Sequence, residues 1–264
     1  MRLFIIITLF CCSFQSIGQN YFLNLPKDKS LFVELYGNYY LSSNSITNSF
    51  VKEVFTGDGY ISSELKNDIF NKLKTANNQL GIESEIGFLL KKKKDNVSYL
   101  IGLRNVDLIN LTFNEATLKL LLQGNEPFRG QTISLSPFDF TNITYQCLDL
   151  GIEKEQEKTK WFAFISLARG LQYQKSSMTN ASLYTAQDAT NIQFSSDIFF
   201  TQNSDIPNKI TPINGLGMGV SGGFSHFFDE EKKHGFHLMI RDLGFVNYWD
   251  LYHYEAKDNY DFSG

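Results

Sequence analysis

Apolar and polar or small residues alternate along most of this chain, and three charged clusters interrupt the alternation: Lys91–Asn96 (KKKKDN), Glu153–Lys160 (EKEQEKTK) and Asp229–Gly235 (DEEKKHG). Side chains in a strand point alternately to opposite faces, so a period of two predicts a strand with two unlike faces. In Leu80–Leu90 one face carries Leu80, Ile82, Ile86, Phe88 and Leu90, and the other Gly81, Glu83, Glu85 and Gly87. Beyond the lysine turn, Tyr99, Ile101 and Leu103 oppose Ser98, Gly102 and Arg104. A second hairpin joins Phe138–Lys154 to Lys160–Gln174. Its later strand sets Trp161, Ala163, Ile165 and Leu167 against Phe162, Phe164, Ser166 and Ala168. Both of those faces are apolar near the turn, so the pattern does not say which is outward. Gly215–Phe228 and Phe236–Phe245 form the third hairpin, and Ser30–Leu41 is a further strand. Charged tight turns between alternating strands are how an outer-membrane β-barrel is written, with short periplasmic turns and membrane-crossing strands.

Between the hairpins lie less regular stretches. Leu65, Ile69, Phe70 and Leu73 are spaced as on a helix, which predicts a short helix over Ser63–Leu73 with serines to cap it. Glu115–Gln123 is a second short helix, stopped by Gly124. Ser177–Tyr184 and Thr190–Thr201 read as a more polar strand pair standing beyond the membrane. Asn203–Asn214 is a loop with two prolines. The fold expected is all-β: an antiparallel up-and-down transmembrane β-barrel with short plug or loop helices.

The first residues set the compartment. Met1-Arg2 gives a positive start, Leu3–Phe14 is apolar, and Ser16-Ile17-Gly18 offers small residues for cleavage after Gly18 or Gln19. Residues 1–19 are thus expected to be a signal peptide, too short for a spanning helix, and 20–264 the barrel domain. Cys11 and Cys12 leave with it, so Cys147 stands alone and no disulfide framework is possible. A net charge of −4 carries no basic footprint for nucleic acid. The 24 Phe and 13 Tyr fit aromatic girdles, and a mean hydropathy of −0.21 fits a barrel in which only alternate residues meet lipid. A soluble secreted β-sandwich would share that composition.

Strand counting adds one expectation. The strand at 30–41 and the two flanking each charged turn make seven spanning strands, whereas bacterial single-chain barrels have an even number. Leu251–Gly264 reads as the start of another strand without a partner. The expectation is therefore a chain cut short, folded as an incomplete barrel: an open, curved sheet with edges at Ser30–Leu41 and near Tyr252–Phe262.

Leu121-Leu122-Gln123-Gly124-Asn125, then Phe128 and Gly130, then Gly215-x-Gly217 leading to Asp242-Leu243-Gly244 and Trp249, resemble a family of Bacteroidetes outer-membrane barrels. That family is a domain of unknown function. It is grouped with PorP/SprF-like proteins of type IX secretion and gliding, and shares a barrel plan with FadL-type transporters. The resemblance spans about residue 30 to the end. It implies an outer-membrane location, lipid as a partner, and members that continue beyond the position of Gly264. Secretion or gliding proteins are possible further partners. It supplies no catalytic residue, metal ligand or cofactor.

Few residue sets invite chemistry. Gly219-Val220-Ser221-Gly222-Gly223 matches G-x-S-x-G, with Asp229 or Asp242 and His234 or His237 following in the order of hydrolases. That motif needs a strand, a sharp turn and a helix, and here strand alternation runs straight through the serine. Gly215, Gly217, Gly219 and Gly223 lack the spacing of a phosphate cradle. His234 and His237 are three apart and point to opposite faces, so with His226 and His253 they read as surface or lumen side chains. Lys91–Lys94 reads as a solvated turn. Glu83, Glu85, Arg104 and Arg241 lie on polar strand faces and are the candidate lumen charges, read first as a ladder locking the hairpins and second as a permeation site. An arginine at Ile86 is expected to impair assembly, and one at Glu85 to be milder. The function expected is that of a non-enzymatic outer-membrane channel or transporter for small molecules, hydrophobic ones among them. The alternative is a non-transporting anchor or accessory of the type IX secretion or gliding machinery. A continuous lumen path would favour the first; a plugged lumen with large ordered outer loops would favour the second.

Overall fold

The computed structural model describes residues 30–56, 61–203, 213–229 and 234–263. The expected signal peptide, the centre of the third charged turn and most of the 203–214 loop lie outside these residues. The strands are β1 (Leu31–Ser43), β2 (Asn78–Lys94), β3 (Val97–Phe113), β4 (Gln131–Ser134), β5 (Phe138–Glu155), β6 (Thr159–Thr185), β7 (Asn191–Asn203), β8 (Gly215–Phe227), β9 (Gly235–Tyr248) and β10 (Leu251–Ser263). Three short helices intervene: α1 (Asn48–Thr56), α2 (Ser63–Phe70) and α3 (Glu115–Gln123). α2 is capped by Ser62, whose Oγ accepts from the Leu65 N–H at 3.2 Å. α3 is capped by Asn114 and ends at Gly124, which takes φ 75°. The helix expectations thus hold, with α1 unforeseen.

All pairings within the 10-stranded sheet are antiparallel, and its strands fall into rows: β1, β2, β3, β4 with β5, β6, β7 with β8, and β9 with β10. β6 is the spine. Its first half, Thr159–Gly170, pairs with β8, and its second half, Gln174–Thr185, pairs with β7. β10 continues the row of β9 past Asp250 (φ 53°) and pairs with β7 from Leu251 to Ser263. This corrects the expectation that Leu251–Gly264 starts a partnerless strand: it is the upper part of the row that β9 begins. The polar pair at 177–201 likewise prolongs existing rows, because β6 runs unbroken for 27 residues.

Among the described residues β1 pairs only with β2, and β9 and β10 only with β8 and β7, so the sheet is open. An even number of antiparallel steps separates the two edge rows. Both therefore run the same way, and direct closure between them would have to be parallel. The sheet curls, since Glu85 on β2 and Arg104 on β3 reach Arg241 and Asp242 on β9, near its far edge.

The two faces have reversed polarity. Leu35 (81 % exposed), Ile86 (73 %) and Leu243 (65 %) point outward, as do Ile165, Leu167, Leu238 and Phe245. Glu85, Lys91, Arg104, Asp149, Glu153 and Lys160 are buried on the inner face. Charged residues are rarely fully buried unless paired, and an exposed apolar band of this extent marks an interaction surface. The inner face of β6 is now assigned: Phe162, Phe164, Ser166 and Ala168 point inward. Glycines admit the rings. A Cβ at Gly151 would overlap the Phe164 ring, and one at Gly223 the Phe162 ring.

Candidate functional site

The inner face carries charge in two layers with an apolar layer between them. At the turn end, Lys91 Nζ donates to Glu153 Oε1 at 2.6 Å, and Lys160 Nζ lies 3.3 Å from Glu153 Oε2. All three side chains are buried. This corrects the reading of Lys91 as a solvated turn residue. Alternation places 91 on the same face as Glu85, Gly87 and Leu89, and the turn itself begins only at Asp95, where φ is 55°. Glu153→Gln would remove the carboxylate that the buried Lys91 and Lys160 share. Breaking a buried pair costs about 3–5 kcal/mol. A large drop in the urea midpoint of the protein is expected, with none for the exposed neighbour Lys92→Gln.

Above it, Leu89, Leu100, Phe162 and Phe164 pack together, the two rings edge to face at 5.7 Å. The next layer is a knot of five charges. Arg104 Nε donates to Asp149 Oδ2 at 2.7 Å, while Nη1 and Nη2 donate to the two oxygens of Asp242 at 2.8 and 2.5 Å. Glu85 Oε2 lies 3.6 Å from Arg104 Nη1 and pairs with Arg241. Ser166 Oγ donates to Asp149 at 2.5 Å, and the Asp242 N–H donates to Ser221 Oγ at 2.9 Å. Arginine suits this place, because its planar fork meets carboxylates two bonds at a time and it remains charged when buried.

Of the four candidate lumen charges, the fold brings Glu85, Arg104 and Arg241 together. Glu83 is half-buried on the same face and takes no part in the knot. The ladder reading is thereby favoured, but its main carboxylates, Asp149 and Asp242, were missed. Asp149 was legible, since it shares the inward parity of Cys147 and Glu153. Asp242 was not. Neighbours on a strand face opposite ways, yet Arg241 and Asp242 both reach the knot. A bulge opposite Val220–Gly222, with Asp242 at φ 53°, re-aims them. Glu85→Arg, expected from the sequence to be milder than Ile86→Arg, would put a third guanidinium beside Arg104 and Arg241 in a site where Glu85 is 2 % exposed, so a large loss of stability is expected for it as well. Gly219–Gly223 lies wholly within β8, so the strand–turn–helix context of an activated serine is missing.

On the outward face the apolar band ends at a chain of hydrogen bonds. Asp107 accepts from Thr144 Oγ1 at 2.7 Å, Asn105 Nδ2 at 3.0 Å and Ser84 Oγ at 3.5 Å. Gln146 Nε2 donates to Asn105 Oδ1 at 3.2 Å, and Arg169 Nη2 to Gln146 Oε1 at 2.5 Å. These residues continue the outward rows of Ile86, Leu103, Leu148 and Leu167. Beyond the belt, Ile133, Leu135, Ala181 and Leu183 form a second apolar cluster, against which Leu120 of α3, Phe128 and Phe194 pack. At the β6–β7 turn the Thr190 hydroxyl and N–H donate to Asp188 and hold its carboxyl below the usual range.

The profile of a family of unknown function (DUF5723) matches residues 16–264, and the chain belongs to that family. No curated protein and no solved structure matches it.

Proposed function

We propose that this chain is an outer-membrane β-sheet protein whose outward face meets lipid and whose filled interior makes it a non-conducting anchor for an ordered outer extension. The observation that carries the reading is the reversed polarity. On β9 the outward apolar rows run from Phe236 to Phe245, and on β6 from Trp161 to Leu167. They are bounded on one side by the charged turns and on the other by the Asp107–Arg169 belt. Strands tilted across a bilayer need about 9–11 residues. Tyr99, Trp161, Phe224 and Phe236 stand at the turn-side margin, where aromatic girdles occur. β6, at about 3.3 Å per residue, far exceeds a core of about 30 Å. Its second half, with β4, β7, β10 and α3, then forms the extension. A water-soluble protein gains nothing by exposing leucines while burying Lys91, Glu153 and Arg104.

The interior favours anchoring over conduction. Leu89, Leu100, Phe162 and Phe164 are 1–4 % exposed and lie between two layers of ion pairs, which supports a filled interior. An accessory role in type IX secretion or gliding, as the resemblance to PorP/SprF-like proteins implies, suits such a body. Cell fractionation should place the protein in the detergent-requiring outer-membrane pellet, and planar bilayers holding it should show no steady conductance. Recovery of folded protein from the soluble fraction would overturn the membrane placement. A stable open-pore current would overturn the anchor.

A further inference from the structure

A cavity of about 220 Å³ lies inside the curl beside the charge knot. Leu108, Ile143, Ala168 and Val246 give it apolar walls; Asp242, Cys147, Tyr145, Tyr248 and Ser166 bring polar groups to its border, of which the Ser166 and Tyr248 hydroxyls already donate to Asp149 and the Thr144 carbonyl. At a liquid share of about 30 Å³ per water, it has room for a single ring with a short tail. Three features give the site a chemical preference. The knot sets three carboxylates (Glu85, Asp149, Asp242) against two guanidiniums (Arg104, Arg241), so one negative charge is unmatched within it. Asp242 borders the cavity, and its side chain keeps 29 % exposure despite its bonds to Arg104. The remaining walls are mostly aliphatic side chains and rings, which suit an organic body better than a hydrated ion. We propose that this cavity binds a small primary amine with a compact apolar body, the ammonium against Asp242 and the body against Leu108, Ile143 and Val246. The site does not depend on the anchoring reading.

Cys147 supplies a reporter. It is a free, buried thiol on the cavity wall. Gly219 supplies the obstruction, because it lines the cavity and a Cβ built there makes only ordinary contacts, the nearest at 3.7 Å. The probe is phenethylamine, added to the detergent-solubilised full chain and read both by calorimetry and by the rate at which N-ethylmaleimide labels Cys147. Expected are a measurable heat of binding and slowed labelling. 2-Phenylethanol should bind about tenfold more weakly, as a charged hydrogen bond is exchanged for a neutral one. Gly219→Leu should keep the circular dichroism and the urea midpoint of the parent and lose both signals. Absence of any heat at millimolar amine, or unchanged binding in Gly219→Leu, would overturn the site. Equal binding of amine and alcohol would overturn the role of Asp242. None of these outcomes bears on conductance or fractionation, so this proposal and the anchoring reading fail separately.

Discussion

Arg104→Ala is expected to leave little of the chain in its folded, heat-modifiable form. The guanidinium binds Asp149 and both oxygens of Asp242, and lies beside Glu85. These partners come from β5, β9 and β2, so one side chain ties three rows of the curled sheet together. Its removal leaves two buried carboxylates, Glu85 and Asp149, and the part-exposed Asp242, with Arg241 as the remaining cation of the knot. Loss of one partner from a buried pair costs about 3–5 kcal/mol, against a total stability of about 5–15 kcal/mol. Lysine at 104 would restore the charge but not the fork, so Arg104→Lys should fall between alanine and the parent. Urea titration in detergent, followed by tryptophan fluorescence and by gel mobility, reads the effect. A midpoint for Arg104→Ala within error of the parent would mean that the knot does not hold the sheet.

Much of the architecture was legible because it rests on period-two alternation. Ile86 outward and Glu85 inward, the turn at Asp95, and the caps at Ser62 and Gly124 follow from local rules. What stayed hidden needed pairing information. Leu251–Ser263 looks like a new strand, because nothing in its residues says that β7, rather than a later segment, is its partner. The face of Trp161–Ala168 was ambiguous for a physical reason: both sets are apolar, one meeting the outer surroundings and the other filling the interior. Glycines at 151 and 223, opposite Phe164 and Phe162, were the missed signal, since rings packed inward need bare backbone beside them. Asp242 was hidden by its bulge. The charged turns misled in one respect. A run such as KKKKDN looks uniformly solvated, yet its first lysine is still within the strand and faces inward.

Ile86→Arg is expected to block assembly of the protein into membranes, while Ser84→Arg, two residues along the same outward row, is expected to be tolerated. Ile86 is 73 % exposed and pairs across the ladder with Asn105, so it stands on the hydrocarbon side of the belt's edge, one step in from Ser84, which pairs with Asp107. An arginine on the lipid face costs about 2–4 kcal/mol at mid-depth and about 0–1 kcal/mol near the interface. Ser84 lies at the belt, with Oγ 3.5 Å from Asp107, so a guanidinium there gains a carboxylate neighbour. Both positions are outward, so neither change crowds the interior, and the pair isolates depth from packing. In water the prediction reverses in kind. An exposed isoleucine replaced by arginine would be harmless or would improve solubility, and the two variants would behave alike. Membrane-inserted protein, quantified by protease protection and heat-modifiable mobility, distinguishes the cases. Equal yields of the two variants would mean that the band from Trp161 to Leu167 and from Phe236 to Phe245 does not face hydrocarbon. A loss confined to Ile86→Arg would fix the belt of Asp107, Gln146 and Arg169 as the outer limit of the bilayer core.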